Sequence, residues 1–344
     1  MRANLRILAV LVCTLMVCGP VLAFQAGWRQ ISVAGPVPGA PATVVALYYP
    51  TQAAARAVPM GPFTPVIAIN GAPEATVKGL IVLSHGTGGS ELGHASLAEA
   101  LASNGYLVAA LRHPGDNWQD VSLLRDHTDR YFDERPRQVS RVIDAILLDP
   151  QWKDRIARDA QGPRIGAVGH SAGGYTVLAL AGGQPDLMRM ARHCAAERYE
   201  DPIFCRTGRP SSAAVPAESA ASAPADGPAL RDARVRAVVA LAPVGVVFTA
   251  PSLAGIGIPV AVYGAEKDRW LVPRFHAEWI AQNLPGVAFQ RVPNAWHFAF
   301  LDTPGMPIPS EDGDVGADPP GFDRRAFLDR LGRELPAFFD QAFR

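Results

Sequence analysis

Short apolar, β-branched runs recur along the chain at Val44–Tyr49, Leu80–Ser84, Leu107–Leu111, Ile165–Val168, Val235–Leu241, Val260–Tyr263 and Val287–Val292. Runs of this length bounded by turn residues predict buried strands. Between them lie helical patterns. The clearest is Val139, Val142, Ile143, Ile146 and Leu147, whose spacing puts five apolar side chains on one helical face. Strands alternating with such helices predict an α/β fold: a mostly parallel central sheet with helices on both faces. Near the end of the chain Phe327, Leu331, Leu335 and Phe338 recur about once per helical turn. That stripe predicts a packing helix rather than a lipid-binding face, because core burial is the commoner cause of such spacing.

Two stretches break the alternation. The segment from Asp186 to Asp232 holds a cysteine pair and then an Ala/Ser/Pro tract from Pro210 to Pro228 with almost no large apolar residue. It reads as a lid-like insertion whose tract buries too little surface to fold alone, and is expected to be a mobile loop. The second break, Asp302 to Phe322, is rich in Gly, Pro and Asp and is expected to behave likewise.

At the other end, Arg2 and Arg6 precede an apolar run from Ile7 to Val17, followed by Val21-Leu22-Ala23. This is the layout of a secretory signal over 1–23, since the run of about 11 residues falls short of the roughly 20 that span a bilayer. Residues 24–344 are then one domain, periplasmic or secreted, with no stable membrane span. Once Arg2 and Arg6 leave with the signal, acidic residues outnumber basic ones by two, from an initial balance of 32 each. Bulk charge therefore attracts neither nucleic acid nor anionic lipid. Of four cysteines, Cys13 and Cys18 leave too. Cys194 and Cys205 remain and are expected to pair, which for so short a loop is worth about 3 kcal/mol. The oligomeric state has no signature in the sequence.

Candidate chemistry centres on Gly169-His170-Ser171-Ala172-Gly173. The five-residue pattern is short enough to arise by chance. Its position is more telling, because it follows the strand Ile165–Val168 and precedes the helical run Tyr175–Ala181, the strand, sharp turn, helix setting that a nucleophilic serine needs. A serine hydroxyl also requires a base within hydrogen-bond reach and a carboxylate to orient that base. Such partners belong at the ends of later strands. The strand Val260–Tyr263 leads to Asp268, and Val287–Val292 leads to His297. Asp268 and His297 are therefore the expected acid and base, with Glu266 as the alternative acid.

The chain has eight histidines. His85 and His170 sit in tight turns and are expected to hydrogen-bond backbone, although His85 also stands as a candidate pocket residue, with His113 and Trp296. His94, His127, His193 and His276 read as solvated or structural. A tetrahedral intermediate needs fixed N–H donors. Ala172 supplies one, and the loop Ser84-His85-Gly86-Thr87-Gly88-Gly89-Ser90 the other, from Thr87 or, with a one-residue shift, from Gly86 or Gly88. No His/Cys/Asp cluster points to a metal, and the chemistry calls for no cofactor.

Taken together, Ser84-His85-Gly86-Thr87-Gly88-Gly89, His113-Pro114-Gly115-Asp116-Asn117, Glu134-Arg135-Pro136, Gly169-His170-Ser171-Ala172-Gly173-Gly174 and Trp296-His297-Phe298 resemble the α/β-hydrolase superfamily. The likeness is to its serine esterase branch, with platelet-activating-factor acetylhydrolases and bacterial dienelactone-hydrolase-like proteins, and it runs from about residue 79 to 301. The resemblance implies a Ser-Asp-His esterase acting on a small-molecule ester with a short acyl group. Dienelactone hydrolases carry a cysteine nucleophile where this chain has Ser171. Secreted polyester hydrolases and cutinases share the Gly-His-Ser-x-Gly-Gly run and are the second expectation. An amidase or peptidase would use the same residues, and a binding protein with a retired site is the non-enzymatic alternative.

Overall fold

The structure, a computed structural model, describes residues 24–207 and 230–344, the side chain of Asp129 apart. The expected signal 1–23, with Cys13 and Cys18, and the Pro210–Pro228 tract lie outside the described residues.

Ten strands form one sheet: β1 (Gln25–Val33), β2 (Thr43–Thr51), β3 (Arg56–Ala57), β4 (Val66–Ile69), β5 (Leu80–Ser84), β6 (Leu107–Arg112), β7 (Ile165–His170), β8 (Val235–Leu241), β9 (Val260–Ala265) and β10 (Ala288–Val292). Their order is β10-β9-β8-β7-β5-β6-β2-β1-β4-β3. The six strands from β10 to β6 run parallel, while β2 pairs antiparallel with both β6 and β1. All seven predicted runs lie in this sheet. Three strands were missed: β3 and β4 are short, and β1 mixes its apolar residues with Gln25, Arg29, Gln30 and Ser32, because it is only half covered and needs no continuous apolar run.

The side chains of each strand divide between two cores. On β2, Val45, Leu47 and Tyr49 face one layer and Ala46 and Tyr48 the other, the period of two that a sheet buried on both faces demands. The first layer holds α3 (Thr128–Leu148) and α4 (Ala172–Ala181); the second holds α1 (Ala95–Ser103) and α9 (Arg324–Ala342). Between α1 and α3 lies the short α2 (Ser122–Asp126), and α7 (Ala250–Ala254) and α8 (Ala277–Asn283) precede α9 along the chain. The predicted stripe of α3 points inward, with Val139, Val142, Ile143 and Ile146 fully buried. Phe327, Leu331 and Leu335 of α9 are buried too, which makes that stripe core rather than a membrane face. No helix among the described residues is long and apolar enough to cross a membrane.

Both breaks carry more structure than their composition suggests. Residues 187–207 form α5 (Leu187–Ala196) and α6 (Pro202–Thr207), joined by the Cys194–Cys205 disulfide. The segment Asp302–Phe322, expected to be a mobile loop, is pinned by its own carboxylates. Asp302 accepts from the Ser96 backbone N–H at 2.8 Å, Asp312 from the Trp270 indole at 2.7 Å and Asp318 from the Arg324 guanidinium at 2.9 Å. Gly, Pro and Asp also suit ordered loops whose polar side chains replace backbone ladders.

Candidate active site

The loops at the C-terminal ends of β5, β6, β7, β9 and β10 converge on one edge of the sheet, which is where open parallel sheets place their ligands. Ser171 stands at the junction of β7 and α4 with φ 58° and ψ −116°, a conformation that costs a non-glycine residue energy. Its neighbours make the turn sterically possible. A Cβ on Gly169 would lie 2.0 Å from the Gly173 carbonyl oxygen, and one on Gly173 would lie 1.9 Å from that of Ser84. The strained turn is fastened at both backbone groups, since Ser171 N–H donates to Leu241 O at 2.9 Å and its carbonyl accepts from Val244 N–H at 3.1 Å.

Ser171 Oγ lies 2.9 Å from His297 Nε2, and His297 Nδ1 lies 2.7 Å from Asp268 Oδ2. The other oxygen of Asp268 accepts the backbone N–H groups of Trp270 and Leu271 at 2.9 and 2.8 Å. A carboxylate so engaged accepts a hydrogen bond from Nδ1–H, which leaves Nε2 with a lone pair for the serine hydroxyl. Glu266 sits outside this chain. It is exposed and accepts from the Asn294 backbone N–H at 2.8 Å, tying the β9 loop to the β10 loop.

The His297 imidazole is held between two rings. Trp270 stacks on it at 6.0 Å and 20°, with the indole fixed by Asp312, while His170 lies 4.9 Å away on a tilt and meets the His297 carbonyl through Nε2 at 3.0 Å. Burial, and then the neighbouring His297, hold the His170 ring well below the usual histidine range. It is thus a neutral donor to backbone, in line with the sequence expectation.

On the opposite side, the loop after β5 passes close to Ser171: a Cβ on Gly86 would lie 3.1 Å from the serine Cβ. Gly88 N–H donates to Asp116 Oδ1 at 2.9 Å, so it is committed elsewhere. Tyr131 OH donates to Asp116 Oδ2 at 2.8 Å and therefore receives, at 2.8 Å, the proton of Thr87 Oγ1. The Thr87 hydroxyl is thus engaged with Tyr131.

His85 and His113, expected to line a pocket, instead lie beneath the loop and are buried. His113 Nδ1–H donates to Gln138 Oε1 at 2.6 Å, so its Nε2 accepts from Ser84 Oγ at 2.8 Å, while His85 Nε2 accepts from the His113 backbone N–H at 3.1 Å. Burial, and next the charge of Arg135, press both rings toward the neutral form, His85 to about 4. Trp296 does stay partly exposed, with the Arg269 guanidinium 4.3 Å over its ring.

The remaining histidines divide. His127 is exposed, and His94 is buried beside His170 with both ring nitrogens unpartnered. His193 and His276 each bond Oδ2 of the fully buried Asp201 at 2.9 Å. Burial alone would raise the Asp201 carboxyl, but these two hydrogen bonds outweigh it and hold the group at about 2. Its other oxygen accepts from Val272 N–H at 3.4 Å, which ties the disulfide-closed insertion to the Asp268 loop. Sequence reasoning missed Asp201, since an acid in a polar segment gives no sign of burial. Among the described residues one grouping, His193 with Cys194 and Cys205, is compact enough for a metal, but its sulfurs are bonded to each other and offer no thiolate.

A ten-stranded sheet with six parallel strands and a serine on a strained β-to-α turn defines a hydrolase-fold protein. Residues 81–306 match the Alpha/beta hydrolase family, and the chain belongs to it. Among curated proteins it is similar to Cutinase est1 of Thermobifida alba, 33% identical over 114 residues, a match covering 33% of this chain and 34% of that one. Cutinase cut1 of Thermobifida fusca is 30% identical over 114 residues, covering 33% and 31%. The match thus spans about a third of the length of these relatives. Among solved structures, a ferulic acid esterase from Streptomyces cinnamoneus superposes with a TM-score of 0.61 at 23% identity, over 94% of this chain and 92% of that one. A dienelactone hydrolase from Anabaena variabilis gives 0.50 at 15% identity, over 92% and 98%. At these identities the likeness is one of fold.

Proposed function

We propose that this protein is an exported serine hydrolase that cleaves carboxylic esters with short acyl groups through an acyl-enzyme. His297 takes the proton of Ser171 as Oγ attacks the ester carbonyl, and Asp268 orients the imidazole and balances its positive form. The N–H groups of Ala172 and Thr87 hold the oxyanion. The protonated His297 then passes its proton to the departing alcohol, and water repeats the attack on the acyl-enzyme. Residues 1–23 are the export signal in this reading, 24–344 the catalytic domain and 186–232 an insertion within its sequence. The single observation that carries the proposal is the hydrogen-bonded run from Ser171 Oγ through both ring nitrogens of His297 to Asp268.

A fluorophosphonate probe tests it. Labelling of Ser171 that disappears in Ser171→Ala is expected, whereas a folded protein that takes no label is a retired hydrolase fold. An acyl-length series of p-nitrophenyl esters is expected to peak at two to four carbons. The similarity to cutinases favours one second reading, a polyester hydrolase, which predicts release of monomers from an insoluble polyester film. Cleavage of an anilide as efficiently as the ester of the same acid would make the protein an amidase.

A further inference from the structure

Behind the loop that carries Thr87 lies a fully buried ion pair, Arg135 with Asp116. Nothing in the proposed proton transfers uses it. Charged side chains are almost never buried so completely without a reason, because desolvation opposes it, and the partners of this pair are specific. One guanidinium nitrogen of Arg135 bonds Asp116 Oδ2, a second bonds the His85 carbonyl and lies 3.3 Å from Ser84 Oγ, and Nε donates to Thr176 Oγ1 at 3.1 Å. Thr176 belongs to α4, the helix that begins at Ala172, and its hydroxyl donates in turn to the Ala172 carbonyl at 2.9 Å. Asp116 holds Gly88 N–H at 2.9 Å on one side of Thr87, and through Tyr131 OH it holds the Thr87 hydroxyl itself.

We infer that Arg135 and Asp116 are the positioning pair of the oxyanion hole: together they fix the spacing between its two donors, the N–H of Ala172 on α4 and the N–H of Thr87 on the β5 loop. The inference rests on the esterase reading of the site. Its physical basis is that the ladder between β5 and β7 ends at Ser84 and Gly169, so that beyond it the two donors stand on separate elements, a loop and a helix. A planar guanidinium bonded to both elements spans them with a fixed geometry that a flexible ammonium does not reproduce. Donors preset for charge that develops in the transition state stabilise it without reorganisation. Asp116 balances the buried charge and grips the loop from the side away from the substrate. The neutral His85 and His113, packed against the same guanidinium, fill the space beneath the loop without adding a second charge.

The test compares the full chain with its Arg135→Lys, Asp116→Asn and Tyr131→Phe variants. Active sites are titrated by fluorophosphonate so that turnover is expressed per competent site. Wild-type protein that neither labels nor hydrolyses p-nitrophenyl acetate overturns the esterase reading, and this inference with it. Given an active wild type, Arg135→Lys and Asp116→Asn are expected to lower kcat by about a hundredfold, and Tyr131→Phe by about tenfold, with KM within threefold. Affinity for a trifluoromethyl ketone, whose hemiketal oxygen occupies the oxyanion hole, is expected to fall by the same factor as kcat/KM. A purely structural role would lower the melting temperature and the titratable fraction while leaving kcat per site and ketone affinity unchanged, and that result overturns the proposal. Should the charged-pair variants fail to fold, Tyr131→Phe decides alone, since it leaves the ion pair in place: kcat within twofold of wild type rejects the inference.

Discussion

The two shoulders of the Ser171 site are held by different physics. On the side of the Gly86–Gly88 loop everything behind the backbone is polar and buried: Arg135, Asp116, His85 and His113, each with named partners. On the side of His297 the support is aromatic and partly open to solvent: Trp270 and Phe298 flank the imidazole, and Asp312 holds the Trp270 indole. The difference follows from what each shoulder has to do in the proposed mechanism. Oxyanion donors must stand still, and buried charge-assisted hydrogen bonds fix positions firmly. The imidazole must accept and release a proton, so it needs a partner on Nδ1 and a polarisable surround, while Nε2 stays free to face the serine.

The contrast can be tested at several points. Asp268→Asn should cost the most on the base side, about 10^4-fold in kcat, because an amide cannot enforce the tautomer that leaves Nε2 unprotonated. Glu266→Gln, two residues away, should stay within twofold; steady-state kinetics of the two variants side by side would show a reversed order if the acid had been misassigned. Next in size is the acid response of two buried histidines, His85 on the oxyanion shoulder and His94 beside His170. His85 and His94 are pressed by burial to about 4 and about 3, so the unfolded chain binds more protons than the folded one below the ordinary histidine value of about 6.5. Stability is therefore complete above about pH 6.5 and falls as the pH drops toward 4, by about 3 kcal/mol for His85 alone. Thermal melts across that range should show it, and His94→Phe, which removes a buried ring without hydrogen-bond partners, should flatten the curve.

A smaller effect is expected at the aromatic wall. Trp270→Ala should lower kcat/KM about tenfold through loss of the ring that faces the imidazolium, and Asp312→Asn less, since it only frees the indole. A pH–rate profile of Trp270→Ala unchanged from wild type would show that the ring acts on packing alone. An effect of similar size should come from Thr87→Ala, about tenfold in kcat as for Tyr131→Phe, because it removes the same hydroxyl link to Tyr131 while the backbone N–H survives. A hundredfold loss there would make the hydroxyl, rather than the amide, the donor.

Much of this site was legible in the sequence for a plain reason. Strand ends are marked by apolar runs, and the residues that follow them, Ser171, Asp268 and His297, fall at the sheet's C-terminal edge whatever the intervening loops do. The supporting residues were harder to read. Asp116 and Arg135 appeared only as parts of motifs without a role, and Trp270 and Asp201 not at all, because a charged or aromatic residue in a loop carries no periodic sign of what it will touch. His113 was misplaced for the related reason that a strand end on the active edge can turn its side chain beneath a loop as readily as into a cleft.

By itself, then, the sequence determined the sheet, its two helical layers and the placing of Ser171, Asp268 and His297 just beyond successive strand ends, since these depend on short-range periodicity and on steric demands such as those at Gly169 and Gly173. Only the tertiary structure decided which buried charges met. Arg135 of α3 lies 19 positions from Asp116 and 41 from Thr176. Whether a guanidinium so placed is a solvated surface group or is buried between a loop and a helix depends on how the helices pack over the sheet, and no local pattern along the chain records that.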